Sequence, residues 1–345
     1  MEGCNLEDAA KRFTEESLRV LDEHLDNEEV ISFSIKLGNH SVCISMPNCE
    51  GVSDLISSAF HQAEHDKEEL WKISVVDLSR GYKIPPINWN PQMHMPTGQL
   101  RTNRAKSRIA FDPIAGITWV MAREDRNIIA FLPSLHAMPL WWISTPFRLG
   151  ISWIANEYGF EFVHGAAIGK HGLGVILAGP SGVGKSTLSL SLGQIGWEFL
   201  SDDFFLMDGQ TAHSVYRRVR LWEDSTKSLG FEPLSEFMSP NERLKFIFEY
   251  SNLDGIVPIS TLSVRVLAFP QLSNFTHLRS ISPPKAFLEF TSATLSGLQG
   301  GSDESFSRLA KIVRNSSLYV FGVRGSTELI GDSLTNALDS VESWQ

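Results

Sequence analysis

Leu6, Ala10, Phe13, Leu21 and Leu25 recur at near-helical spacing in the N-terminal stretch, with charged residues filling the gaps. That spacing predicts an amphipathic helix over 5–25 whose apolar stripe covers a core. The period then changes to two. Ile31, Phe33, Ile35 and Leu37 alternate with polar residues, Gly38-Asn39 supplies a turn pair, and Val42, Ile44 and Met46 alternate again. This is the pattern of a β-hairpin. A second helical stretch over 51–70 and a strand over 71–78 follow. Residues 81–100 are rich in Pro and Asn and keep neither period, so they read as a loop, and loops of that length usually link or serve a function. Its Tyr82 and Trp89 suit either a partner surface or plain packing. Residues 107–133 read as two or three strands separated by Gly and Asp-Arg-Asn turns. These elements make a small α+β unit over 1–140, with no tandem repeat and no low-complexity tract.

From Ser144 the pattern changes. Ser144-Thr145-Pro146 is a helix start and Gly159 a stop. A strand over 160–169, a turn, a strand over 173–178, a Gly-rich loop, a helix over 185–196 and a strand over 197–208 follow. The C-terminal tail reads as helix, strand, helix. Alternation of this kind predicts an α/β domain over 141–345 with its ligand at the carboxyl ends of the strands.

Composition narrows the class. The 345 residues suit about two domains, and 42% hydrophobic with 20% charged residues supports a normal core. A net charge of −10 argues against a nucleic-acid binder and for an anionic ligand handled in a local pocket. Cys4, Cys43 and Cys49 form no CxxC and leave an odd thiol, so neither a zinc site nor a disulfide framework is expected and a reducing cytosol is. The N-terminus carries acidic residues and no apolar segment of the secretory kind. No uncharged apolar run reaches the ~18 residues that span a bilayer. The expectation is a soluble cytoplasmic protein without a membrane partner.

The chemistry centres on one loop. Gly179-Pro180-Ser181-Gly182-Val183-Gly184-Lys185-Ser186 fits GxxxxGK[ST] between an apolar strand and a helix. The glycines let backbone N–H groups turn around phosphate oxygens, and the helix N-terminus adds its positive end. Lys185 would neutralise the β- and γ-phosphates, and Ser186 would offer a hydroxyl to Mg²⁺. Thr187 would support the loop or the region of the nucleotide base. The loop therefore binds a nucleoside triphosphate. No NKxD guanine signature and no apolar strand running into Asp-Glu occurs. Asp202-Asp203 instead follows the helix, 17 residues after Lys185. This places it at the end of the strand beside the loop's own strand. Neighbours on a strand point to opposite faces, so one carboxylate can take a proton from an attacking hydroxyl and the other can hold a metal, directly or through water. His164, at the end of a strand and followed by the small run Gly165-Ala166-Ala167, can orient one Asp.

His164-Gly165, the loop Gly179 to Ser186 and Asp202-Asp203, in this order and spacing, resemble the HPr kinase/phosphorylase superfamily. The resemblance covers about residues 140–225. It implies a P-loop kinase core of HPr-kinase type, ATP and Mg²⁺, Asp202 as the base that activates a serine hydroxyl, Asp203 as metal or phosphate partner, and His164 as support for the base. It also implies closed homo-oligomers. The remainder is similar to stand-alone HPr-kinase-like proteins, including serine kinases of ribosomally made peptides such as lasso peptides. Arg220 and Lys245 fall where those proteins carry basic residues that could reach phosphate. The Arg-Gly-Leu-Gly-Ile signature of the HPr enzymes proper is absent from 254–267, so the resemblance does not extend to HPr as acceptor or to phosphorolysis. The acceptor expected is a serine on a peptide or protein. A small alcohol, and a non-catalytic ATP-dependent regulator, are the alternative readings.

Overall fold

The computed structural model describes residues 6–63, 71–89, 98–100, 107–239, 243–273, 275–295, 298, 303–323 and 326–342. The chain divides into two compact units, Met1–Gly150 and Ile151–Gln345. No helix among the described residues is long and apolar enough to cross a membrane.

The first unit contains α1 (Leu6–Asn27), β1 (Val30–Leu37), β2 (His40–Pro47), α2 (Val52–Ser57), β3 (Trp71–Asp77), β4 (Ser107–Asp112), β5 (Ile117–Ala122), β6 (Asn127–Leu132) and α3 (Leu140–Ile143). The hairpin closes as the alternation requires, with Leu37 opposite His40 and Gly38 at φ 63°. The sheet order is β1-β2-β3-β6-β5-β4, parallel across β2–β3 and β3–β6 and antiparallel elsewhere. α1 lays Ala10, Phe13 and Leu21 on Val76, Val120, Ile129 and Phe131, as its stripe predicts. The second helix is shorter than expected. The N–H groups of Lys36 and Ala63 cross-link β1 to residues 61–63, so the chain leaves the helix to pair with the sheet edge; residues 64–70 lie outside the described set. In the long loop, Trp89 packs edge-on against Phe13 and Tyr82 edge-on against His24. Both rings cover α1. Residues 90–97 of that loop, and Cys4, lie outside the described residues.

The second unit is mixed α/β. After α4 (Arg148–Glu157) come β7 (Glu161–His164), β8 (Ala166–Lys170), β9 (Leu173–Leu177), α5 (Lys185–Gln194), β10 (Glu198–Ser201), β11 (Phe204–Asp208), β12 (Thr211–Ser214), β13 (Arg218–Trp222), α6 (Glu223–Leu229), β14 (Ser235–Met238) and β15 (Leu244–Glu249). They are followed by β16 (Val257–Pro258), β17 (Thr261–Leu272), β18 (His277–Ser280), α7 (Pro283–Leu295), α8 (Asp303–Arg314), β19 (Ser317–Val323) and α9 (Thr327–Glu342). The main sheet runs β16-β10-β8-β9-β17-β12-β11-β7, with β19 and β18 added beside β17. A small sheet, β13-β15-β14, stands apart from it. Successive residues of β9 serve opposite faces. Val175 and Leu177 join Leu188 and Leu192 of α5 and Leu334 of α9, while Ile176 joins Phe290 of α7 and Ile312 of α8.

Two strands expected to be continuous are broken. The stretch 160–169 splits at Gly165, so that β7 pairs with β11 and β8 with β9. The stretch 197–208 splits at Asp202-Asp203, so that β10 pairs with β8 and β11 with β7. The two breaks lie side by side, joined by the Gly165 N–H donating to the Asp203 carbonyl at 2.9 Å. The sheet around the loop strand is consequently mixed: β8 runs antiparallel to β9, and β17 parallel to it. β8 also intervenes between β9 and β10, so the Asp pair does not end the strand beside the loop strand, as expected, but a break two strands away.

Gly165 makes this crossing possible, because a Cβ there would come within 2.8 Å of the Leu177 carbonyl oxygen. The obstacle is backbone and cannot swing aside. Gly165→Ala is expected to lower stability by roughly 1–3 kcal/mol, the usual cost of overpacking. Chemical denaturation of the two proteins measures it, and equal midpoints with equal slopes would contradict the tight crossing.

Candidate active site

β9 delivers the chain into the loop 178–184, and α5 starts directly after it. Gly184 closes the loop in the left-handed region at φ 92°, a conformation that a side chain makes costly. It also caps α5 without offering a side chain to the first helical N–H groups. Those donors are left to face the space above the helix, where the macrodipole is positive. The Lys185 ammonium folds back over the loop and donates to the carbonyls of Gly179 at 2.8 Å and Pro180 at 2.9 Å. Burial pulls its pKa down, and Asp202 and Asp203 oppose that pull.

The break between β10 and β11 turns the two carboxylates into different groups. Asp203 is a non-glycine residue at φ 77°. Its side chain carries two partners: Oδ2 receives the Arg220 guanidinium, and Oδ1 stands 3.2 Å from His164 Nε2. The other ring nitrogen of His164, Nδ1, lies 2.9 Å from the Ala293 carbonyl of α7. A carbonyl can only accept, so Nδ1 carries a proton, and the ring is fixed between α7 and Asp203. Phe204 stacks on the same ring, centroids 5.0 Å apart. Asp202 points elsewhere. It is 3% exposed and accepts a hydrogen bond from the Ser186 side chain. Burial, and next the Asp203 charge, push its pKa up to about 6, against the pull of Ser186, Lys185 and Arg220.

His164 thus meets Asp203 and not Asp202, the carboxylate it was expected to support, while Asp202 takes the Ser186 hydroxyl. The cause is the left-handed turn at Asp203, which removes the strand geometry that was to send the two side chains to opposite faces.

Arg220 and Lys245 both reach the site. Arg220 and Trp222 share one face of β13, and Lys245 on β15 sits opposite Trp222 in register. The Lys245 ammonium lies 4.2 Å from the centre of the Trp222 ring, and the Arg243 guanidinium 4.4 Å from it. Burial lowers the pKa of Lys245, with Arg220 adding to the effect. Thr187 bonds the Ser225 hydroxyl of α6 at 2.7 Å, which ties the start of α5 to the small sheet. Trp222, Ser225 and the Ala293 carbonyl were not singled out from sequence. Trp222 had a signal, since Arg-x-Trp on one strand puts both side chains on the same face; Ala293 had none.

Together these groups line a cavity of about 130 Å³ with Ser181, Gly182, Gly184, Lys185, Ser186 and Thr187 on one wall and Asp202, Asp203, Arg220 and Lys245 on the other. That volume suits phosphates and not a whole nucleotide. Pro180, Val183 and Gly179 face a separate cleft on the other side of the loop. For Mg²⁺ the donor types fit: Ser186 offers a hydroxyl and Asp202-Asp203 carboxylates, and a hydroxyl with one or two carboxylates is what Mg²⁺ uses when phosphates and water complete its octahedron; among the described residues no group of three or more His, Cys, Asp or Glu is placed to hold a metal by itself.

No family model matches the chain, and no curated protein matches it. Among solved structures, the HPr(Ser) kinase/phosphatase from Coxiella burnetii aligns at 14% identity with a TM-score of 0.28, over 53% of this chain and 99% of that chain. A TM-score of that size does not establish a common fold.

Asp202 makes stability depend on pH. Its folded pKa of about 6 lies above the ordinary 3.8, so the folded state holds the proton more tightly. The associated stability is fully present below 3.8 and is lost as pH rises through about 6. Asp202→Asn, neutral throughout, is therefore expected to be more stable than the wild type at pH 8 by up to roughly 3 kcal/mol. The gain should fade towards pH 4. Urea titrations of both proteins at the two pH values test this, and a pH-independent difference would contradict it.

Proposed function

We propose that the chain is an ATP- and Mg²⁺-dependent phosphotransferase that moves the γ-phosphate to a serine hydroxyl of a peptide or protein. The observation that carries this reading is the convergence of a complete GxxxxGKS loop, two adjacent carboxylates and three cationic side chains on one phosphate-sized cavity. The order of His-Gly, loop and Asp-Asp, which resembles the HPr kinases, agrees with it.

The roles follow from the environments. The donor's phosphates would lie along the loop and the open N-terminus of α5, with Lys185, Arg220 and Lys245 offsetting their charge. Bringing phosphate in also relieves the mutual repulsion of Arg220 and Lys245. Ser186 and Asp203 would hold Mg²⁺, which supplies charge neutralisation across the donor's phosphate oxygens. Asp202 is the base in this reading: with a pKa near 6 it is ionised at neutral pH yet still basic enough to accept a proton. Asp203, clamped by Arg220 and His164, fixes the position of its neighbour. The acceptor's O–H gives its proton to Asp202 as the new O–P bond forms and the γ-phosphorus leaves the bridging oxygen of ADP. Positioning and electrostatics supply most of the acceleration.

Removing the base without changing its size should stop transfer and spare the nucleotide. Asp202→Asn is expected to slow transfer by about 10²–10⁴-fold, with ATP affinity by calorimetry changed only a few-fold. Lys185→Ala should weaken ATP binding itself. Incubating the native host's lysate with γ-labelled ATP, Mg²⁺ and either protein separates the readings. A labelled polypeptide lost with Asp202→Asn supports the proposal. A labelled small molecule points to a metabolite kinase, and bound ATP with no label anywhere points to a regulator.

A further inference from the structure

The loop Gly179–Gly184 has a space on each side of it. One is the 130 Å³ cavity over α5. The other is a cleft of about 910 Å³ between the loop's first half, the C-terminal end of β17 and one face of α7. His164 and Ser181 line both, so the two spaces meet at the point where His164 holds Asp203. We propose that the larger cleft receives the phosphoryl acceptor, and that the acceptor is a polypeptide segment whose hydroxyl residue is flanked by apolar side chains. This rests on the phosphotransferase reading above.

The direction of the loop decides which space takes which substrate. N–H groups at the start of α5 cradle the α- and β-phosphates, and the loop lysine reaches the β- and γ-phosphates. Here the Lys185 ammonium lies on the carbonyls of Gly179 and Pro180, at the far end of the loop from Thr187. The γ end of the donor therefore points at Pro180 and Ser181, which border the larger cleft. The α end points at Thr187, Ser225 and Trp222, so the nucleoside leaves on the side of the small sheet. An acceptor must approach the γ-phosphorus opposite the leaving oxygen, and the larger cleft is the space on that side.

The lining states the chemistry. Val183 of the loop, Phe269 and Pro270 of β17, and Leu288 and Ala293 of α7 give apolar walls, with Gln271, Glu289 and Ser292 as scattered polar groups. Leu288, a large apolar side chain, is 70% exposed at the rim. Among the described residues no cation lines it, in contrast with the cavity across the loop, which favours an uncharged occupant over an anionic metabolite. The volume is at the upper end of the range for ligand sites, about 300–1,000 Å³, more than a small alcohol fills. Extended peptide with apolar side chains on both sides of a serine matches walls, polarity and size.

The test uses the full chain and one named probe, a nine-residue peptide with a single central serine between two leucines. A second peptide carries aspartates in place of the leucines. Peptide affinity in the presence of ADP and Mg²⁺, ATP affinity, and phosphorylation of the peptide are measured for the wild type, Leu288→Asp and Ser292→Ala. The expected result is binding of the leucine peptide at least tenfold tighter than the aspartate peptide, a loss of at least tenfold on Leu288→Asp, and ATP affinity within twofold. Ser292→Ala, a smaller change on the same wall, guards against a folding defect and should weaken the peptide by a few-fold. Weakened ATP binding in Leu288→Asp would make the cleft the nucleoside site and overturn the inference. Absence of any preference between the peptides would overturn it as well. Peptide bound with the expected preference but never phosphorylated keeps the cleft and removes the kinase reading, so the two can fail separately.

Discussion

The turn at Asp203 is the point on which the site hangs. A left-handed residue other than glycine costs of order 1 kcal/mol or more, though Asp tolerates it better than most. Four contacts hold it there. Its carbonyl accepts from Gly165, its carboxylate takes Arg220 and His164, and the next residue stacks on the His164 ring. They come from two parts of the chain: the junction of β7 and β8, which supplies His164 and Gly165, and the small sheet, which supplies Arg220. Gly165 and Asp203 meet where the two broken strands pass one another, and β7–β11 and β8–β10 belong to one sheet.

That same turn sets the electrostatics. It directs one carboxylate outward to a guanidinium and an imidazole and leaves the other buried beside the Ser186 hydroxyl. Neighbours in sequence thereby acquire different surroundings, one paired with a guanidinium and an imidazole and one pushed towards neutrality by burial. The cations are strained in the complementary sense. Lys185 and Lys245 are both desolvated, and Lys245 also feels Arg220. A cavity with one buried and two half-buried cations beside two carboxylates would gain from taking in a polyanion.

His164 links this centre to α7. Its Nδ1–H reaches the Ala293 carbonyl in the last turn of that helix. The wall of the larger cleft and the clamp on Asp203 are therefore one hydrogen bond apart.

The loop was legible in the amino-acid sequence because its chemistry is local: glycines, a lysine and a serine at fixed offsets between an apolar strand and a helix need no distant partner to be recognised. The amphipathic first helix, the Gly38-Asn39 hairpin and the helix–strand–helix tail were legible for the same reason, since each is written in a short period. The Asp pair was legible as a candidate, but the side chains that meet each carboxylate were not. Alternation along a strand predicts opposite faces, and what governs here is a break in the strand enforced by Gly165, by Arg220 seventeen residues on, and by a helix carbonyl at Ala293. The sheet order likewise depended on β8 inserting between β9 and β10, a pairing that no local pattern encodes. Local periodicity determined the elements and the nucleotide loop. Only tertiary packing decided which carboxylate meets which partner, because desolvation and pairing are properties of what distant residues place around a group and not of the group's own neighbours in the chain.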